Sequence, residues 1–194
     1  MNLLKSQRFV LGHPLNRGRS AAAFLRWLRW QLGSRLLPGP VLVPFVNDIG
    51  LLIRPGMTGA TGNLYCGLHE FEDMALVLHA LRPGDRFVDI GANVGSYSML
   101  AAATGAEVMA FEPIPATCRW LQRNVAVNAL DESVHVLNQG VGRAKGVLRF
   151  TAGLDTVNHV VAENESAAGA LEVPVVLREP VTASRSRVRT ASSS

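Results

Sequence analysis

One stretch constrains the fold more than any other: Arg86-Phe-Val-Asp89-Ile-Gly91-Ala-Asn93-Val-Gly95-Ser-Tyr-Ser-Met-Leu100. A short apolar run, Phe87 to Ile90, enters a turn bearing Gly91 and Gly95, then a helix-like run from Ser96 to Thr104. A buried strand that feeds a glycine turn and a helix N-terminus is the ligand-binding corner of a doubly wound α/β sheet. The spacing is D-x-G-x-N-x-G. It is neither the G-x-G-x-x-G of dinucleotide binders nor the G-x-x-x-x-G-K-[ST] of phosphate loops.

That difference has chemical content. A pyrophosphate pressing on the backbone needs glycine at the closest approach, where any Cβ would collide. An amino-acid carboxylate needs only free backbone N–H groups at the helix start. Asn93 suits that role, because Asn visits left-handed backbone angles more readily than most residues. Asp89, at the strand end, is placed to meet an ammonium group. A second apolar strand, Glu107 to Phe111, ends in Glu112-Pro113. Glu112 follows Gly91 by about 20 residues, the interval at which an acid on the next strand tip reaches a ribose diol. A ribose joined to an amino-acid end describes S-adenosylmethionine better than NAD.

The region from about Gly62 to Asn128 resembles the S-adenosylmethionine-dependent methyltransferases of the FkbM family. The residues that carry the resemblance are Gly62-Asn-Leu-Tyr65-Cys-Gly-Leu-His-Glu70-Phe-Glu, Leu81-Arg-Pro-Gly-Asp85, Asp89-Ile-Gly-Ala-Asn-Val-Gly95-Ser-Tyr97 and Phe111-Glu-Pro-Ile-Pro115. The segment from Asn124 to Asn128 follows, with a weaker likeness through Leu154-Asp-Thr-Val-Asn158-His. The resemblance implies an α/β, Rossmann-like class I methyltransferase sheet that binds S-adenosyl-L-methionine. The cofactor contacts it suggests are Glu70, Asp89, Gly91, Ala92, Asn93, Gly95, Ser96, Glu112 and Pro113. It further implies methyl transfer to a small-molecule or glycan hydroxyl, on a sugar or natural product. No catalytic base is assigned. No acid follows Val134–Leu137, where such enzymes hold the adenine, so no adenine contact is assigned either.

Composition narrows the alternatives. At 194 residues, with 48% hydrophobic and 18% charged residues, the chain suits one globular domain. Net charge is +4, yet no Asp or Glu precedes Asp48, while seven Lys and Arg do. The middle of the chain is acidic on balance, which argues against nucleic acid as a general partner. Cys66 and Cys118 form neither a metal spacing nor a disulfide framework, so a reducing, cytoplasmic setting is expected. His69-Glu70 is not the zinc motif H-E-x-x-H, because position 73 is Asp. No apolar run is long enough to span a bilayer, and Arg26 and Arg29 interrupt any signal-peptide core.

Taken in order, residues 1–37 read as a basic segment and a helix. Pro14 and Gly18 break its first 19 residues, which predicts partial disorder there. Helical spacing from Ser20 to Leu37 predicts a helix folded over the domain with Trp27 and Trp30 packed, in preference to a membrane-surface helix. Residues 38–82 read as a strand pair, a glycine loop at 56, 59 and 62, and a helix from Phe71 to Leu81 with Glu70, Glu72 and Asp73 at its start. The core, 83–177, should run strand 86–90, helix 96–104, strand 107–111, helix 116–128 and strand 134–137, with a hairpin over 141–151. His135 reads as structural, and His159 as a residue that could face the substrate.

Glu172 to Val176 resembles a family strand, but a Ser/Arg-rich tail over 178–194, expected to be disordered, replaces the segments that normally follow it. Roughly 105 residues follow Asp89, too few for seven strands when a βαβ unit takes about 30. The expectation is a domain lacking its C-terminal strands, as a frameshift would leave it, with an exposed sheet edge and face and a tendency to oligomerise. Two other readings stay open: a non-catalytic, truncated cofactor-binding domain, and a nicotinamide-dependent oxidoreductase, against which Asn93 argues.

Overall fold

The computed structural model describes residues 3–36, 39–142, 146–150 and 171–177. The Ser/Arg tail and His159 lie outside the described residues. The elements run α1 (Leu3–Gly12), a 3-10 turn (Pro14–Asn16), α2 (Ser20–Leu36), β1 (Val41–Val46), β2 (Ile49–Ile53), α3 (Thr58–Cys66) and α4 (Phe71–Ala80). They continue β3 (Arg86–Ile90), α5 (Ser96–Ala102), β4 (Glu107–Phe111), α6 (Pro115–Val127), β5 (Val134–Leu137), β6 (Gly140–Gly142), β7 (Gly146–Phe150) and β8 (Leu171–Leu177). The protein is α/β, with a parallel β3-β4-β5 sheet at its centre.

The centre is built by the βαβαβ run that the motif predicts. β3 pairs in parallel with β4 from Arg86↔Glu107 to Ile90↔Phe111, and β4 with β5 from Val108↔Val134 to Phe111↔Leu137. One sheet face packs on α5 and α6, where Val108, Ala110 and Val134 are buried among Met99, Leu121 and Val125. Pro115 opens α6, where its fixed φ and missing N–H cost nothing. On the opposite face, among the described residues, Val88, Ile90 and Met109 are exposed. Residues 87–90 of β3 are therefore half-buried on one side and exposed on the other, and β3 is an edge strand of its sheet.

The antiparallel β1–β2 hairpin docks against α6 through side-chain amides rather than through another strand. Asn124 Oδ1 accepts the Leu52 N–H at 2.6 Å, and its Nδ2 donates to Val94 O at 2.8 Å. One turn on, Asn128 Oδ1 accepts the Gly50 N–H and its Nδ2 donates to Gly50 O. The i, i+4 spacing puts both amides on one face of α6, where they satisfy backbone groups that a neighbouring strand would otherwise meet.

Three expectations need correction. The first 19 residues are not broken coil where described: Leu3–Gly12 is helical, and Val10 is buried beside Ala23, Tyr65 and Cys66. Buried Asn16 secures that segment, donating to Val10 O and Tyr65 O and accepting from Arg26. Asn16 is a polar residue whose tertiary partners lie far along the chain, a signal that local polarity cannot carry. The glycines at 59 and 62 do not mark a loop but lie within α3. A Cβ on Gly62 would stand 2.2 Å from His69 Nδ1, so the glycine there lets the His69 ring lie against the helix. Finally, the described parts of the expected 141–151 hairpin, β6 and β7, do not pair with each other. β8 lies between β6 and β7, parallel to one and antiparallel to the other, a pairing that follows from residues far downstream.

The long helix α2 is as its spacing predicts. Trp27 Nε1 donates to Ser6 Oγ at 3.0 Å, and Trp30 packs between the two apolar clusters.

Candidate functional site

Where β3 ends, the chain makes a left-handed excursion. Gly91 has φ 77°, Asn93 φ 52° and Gly95 φ 95°, so the middle position of the motif is filled by one of the few non-glycine residues that tolerates such angles. Gly95 is required twice over. Besides its φ, a Cβ there would lie 2.4 Å from Leu121 Cδ1, and glycine lets α6 close on the turn.

The next strand tip braces this turn. Phe111 O accepts the N–H groups of Gly91 and Ala92, each at 2.9 Å. Glu112 Oε2 accepts the Asn93 N–H at 2.9 Å, while Oε1 accepts the Ile114 N–H at 2.8 Å. Glu112 is only 5% exposed. Burial pushes its carboxyl above the ordinary range, although the two backbone N–H bonds oppose the rise. Asn138 Nδ2 donates to the carbonyls of Glu112 and Pro113, holding that tip from the β5 side.

A cavity of about 260 Å³ opens above the turn. Asp89, Gly91, Ala92, Asn93 and Ser96 form its floor, and Glu70 and Tyr97 stand at one side. Six of the nine residues singled out from the sequence therefore converge on one space. Gly95, Glu112 and Pro113 are outside its lining and support it from behind.

The opposite wall comes from residues the sequence reading did not select. Met57, Gly59, Ala60 and Asn63 face the cavity from α3 and its start, and His69 and Met74 close it. The small residues at 59 and 60 leave room that larger side chains would fill. Asn63 joins the two walls: its Nδ2 donates to Ser96 Oγ at 3.2 Å, and its Oδ1 accepts the His69 N–H at 2.8 Å. The usable signal was the Gly59-Ala-Thr-Gly-Asn63 string, whose small residues at helical spacing mark a close approach as well as a loop.

Acids and hydrogen-bond donors both line the cavity. Ser98 Oγ donates to Asp89 Oδ2 at 2.6 Å, yet burial still raises the Asp89 carboxyl above its usual range. Tyr97 Oη donates to Glu70 Oε2 at 2.7 Å; burial first, then this bond, raise its phenol. Burial lowers the His69 imidazole, against the pull of Glu70, and its Nδ1 has no hydrogen-bond partner among the described residues. The N–H groups of Ser96 and Tyr97 likewise have no acceptor among the described residues, as expected of a helix's first turn. Two acids and unpaired backbone donors around one small space can hold a zwitterion, its ammonium on the acids and its carboxylate on the donors. Among the described residues no group of three or more His, Cys, Asp and Glu is arranged to hold a metal ion.

No family model matches the chain. It is 36% identical over 69 residues to a tRNA (guanine(37)-N(1))-methyltransferase of Danio rerio, a match that covers 36% of this chain and 14% of that protein. Among solved structures it is similar to an S-adenosylmethionine-dependent methyltransferase from Agrobacterium tumefaciens, at 14% identity and a TM-score of 0.42, covering 54% of this chain and 33% of that one. It is also similar to P. horikoshii TYW2 in complex with MeSAdo, at 18% identity and a TM-score of 0.41, covering 53% and 37%. The chain thus spans about a seventh of the curated relative and about a third of these solved chains.

Proposed function

We propose that the cavity above the β3 turn binds S-adenosylmethionine and that the chain serves methyl transfer from it. The observation that carries this reading is the convergence of Asp89, Glu70, Ser96 and Tyr97 on one 260 Å³ space at the C-terminal end of a parallel strand, beside the uncapped start of α5. That is the place where open α/β sheets take ligands, and the groups there match an amino-acid zwitterion. Asn93 in the left-handed turn leaves no glycine path for a pyrophosphate, which sets the reading apart from a dinucleotide site. The likeness to the Danio rerio methyltransferase over 69 residues supports the same class.

In this reading Asp89 and Glu70 receive the cofactor's ammonium, the α5 start receives its carboxylate, and the Glu112-Pro113 tip flanks the ribose. The sulfonium already activates the methyl group, so the protein's task is to hold donor and acceptor in line. We assign the acceptor to a hydroxyl on a sugar or natural product, following the FkbM-like residues around Gly62–Glu70. A guanine nitrogen of tRNA, named for the Danio rerio relative, is the competing acceptor, and a screen of both classes with labelled cofactor separates them. Both cysteines are buried and free, consistent with a reducing compartment such as the cytoplasm.

One observation favours a second reading, a domain that holds the cofactor without completing transfer. β3, which carries Asp89, is an edge strand with Val88 and Ile90 exposed among the described residues. Thermal denaturation with S-adenosylhomocysteine tests the cofactor assignment common to both. At 100 times its Kd a ligand adds about 2.7 kcal/mol to stability, enough for a clear rise in Tm. An unchanged Tm at millimolar ligand contradicts the assignment. Labelled-methyl transfer to any acceptor then dismisses the second reading.

A further inference from the structure

We propose that the outward face of α2 is a docking surface for an anionic lipid bilayer. The proposal is independent of the methyl-transfer reading. Trp27 and Trp30 turn inward, so the residues that first suggest an interfacial helix are spent on packing. The face they leave outside is nonetheless apolar. Leu25, Leu32 and Leu36 are 50%, 55% and 80% exposed. With Arg29 they follow the spacing i, i+4, i+7, i+11, which keeps all four within an arc of about 60° on a helix of 3.6 residues per turn. Beside them a cavity of about 300 Å³ runs between α2 and β1, lined by Arg29, Trp30, Gly33, Val41 and Val43, large enough to admit part of an acyl chain.

Charge identifies the occupant. Arg29 and Arg35 are exposed on this helix, and no Asp or Glu occurs among the first 47 residues to pair with them. The only ion pair among the described residues, Arg86–Glu107, lies elsewhere. A second copy of the chain would set arginine against arginine across a symmetric contact. Nucleic acid would satisfy the arginines and leave the leucines facing polar backbone. A leaflet of anionic phospholipid satisfies both, its headgroups on the arginines and its acyl region under the leucines. No helix among the described residues is long and apolar enough to cross a membrane, so α2, at 17 residues, would lie in the plane of the surface.

Co-sedimentation of the full chain with vesicles tests this. The chain should pellet with phosphatidylglycerol/phosphatidylcholine vesicles and not with phosphatidylcholine alone, and high salt should weaken the binding. Each arginine near the surface contributes about fivefold in affinity. Arg29→Ser/Arg35→Ser should therefore bind many-fold more weakly, and Leu32→Ser/Leu36→Ser should also lose binding. All four side chains are exposed, so circular dichroism should stay unchanged. No pelleting with anionic vesicles at low salt overturns the proposal, as does binding by both variants as tight as that of the wild type. Light scattering that shows a dimer, dispersed by the leucine variant and without vesicle binding, assigns the face to self-association instead.

Discussion

The Asn93 amide donates a 2.9 Å hydrogen bond to Glu112 Oε2, so the acid at the tip of β4 holds the turn at the tip of β3 in its left-handed path. The second oxygen holds Ile114 at the entry to α6. Glu112 is thus part of the frame of the cavity, whatever it contributes to a ribose above.

Removing that frame should be costly. Glu112→Ala strands two N–H donors, at least one of them buried, and should destabilise the fold by about 2–4 kcal/mol. Urea denaturation measures this. A loss below about 0.5 kcal/mol would show that water replaces the carboxylate freely.

Asn124 is fully buried and ties Leu52 of the hairpin to Val94 of the turn. Asn124→Leu keeps the branched shape and removes both hydrogen-bonding groups of the side chain. A loss of about 2–3 kcal/mol is expected, since a donor and an acceptor are left unpaired in the interior. Unchanged stability in a thermal melt would mean that the hairpin docks by apolar contact alone.

Gly62→Ala drives a methyl group into the His69 ring, with an expected cost of about 1–3 kcal/mol. The double variant Gly62→Ala/His69→Ala should recover part of it, because the clash needs both residues. Strict additivity of the two single effects would contradict the contact.

These contacts show what was legible in the sequence. The βαβαβ core was legible because its apolar runs are short, its turn glycines regular and its partners successive in the chain. The cavity floor followed from the same turn, since Asp89, Asn93 and Ser96 are local to it. Residues from a distant segment were not legible. Asn63 and Ala60 reach the cavity because α3 packs across the turn, and the glycines of α3 read locally as a loop although His69 is what requires Gly62. Asn16 was hidden for the same reason, its partners Tyr65 and Arg26 being tertiary. Local polarity marks a residue as available for hydrogen bonds without telling where its partner lies.

Acid strength offers a further check. Burial raises the Asp89 carboxyl in the folded chain, so the native state binds its proton more tightly than the unfolded state. The contribution of Asp89 is therefore fully present below the ordinary carboxylate range, near pH 4, and is lost as pH rises through the raised value. The stability difference between wild type and Asp89→Asn, followed by urea denaturation from pH 4 to 8, should move against the wild type with rising pH. The reverse slope would mean that Asp89 is stabilised as an anion by its Ser98 bond.

Tyr97→Phe removes only the hydroxyl that holds Glu70. Because the pair lies at the cavity rim, stability should change by less than about 1 kcal/mol. Affinity for S-adenosylmethionine should fall several-fold as Glu70 loses its fixed position. Equal affinity would remove Glu70 from the binding set.

In the proposed reading Asp89 and its neighbours grip an amino-acid zwitterion, and calorimetric titration of the 194-residue chain with S-adenosylmethionine measures that grip itself. Asp89→Asn is the informative control, because it keeps shape while removing the charge that would meet the ammonium. Saturable binding by the wild type is expected, weakened about tenfold or more in the variant, as befits a charge-assisted hydrogen bond. A folded chain that gives no saturable heat, or one that binds equally well without the Asp89 charge, would contradict it.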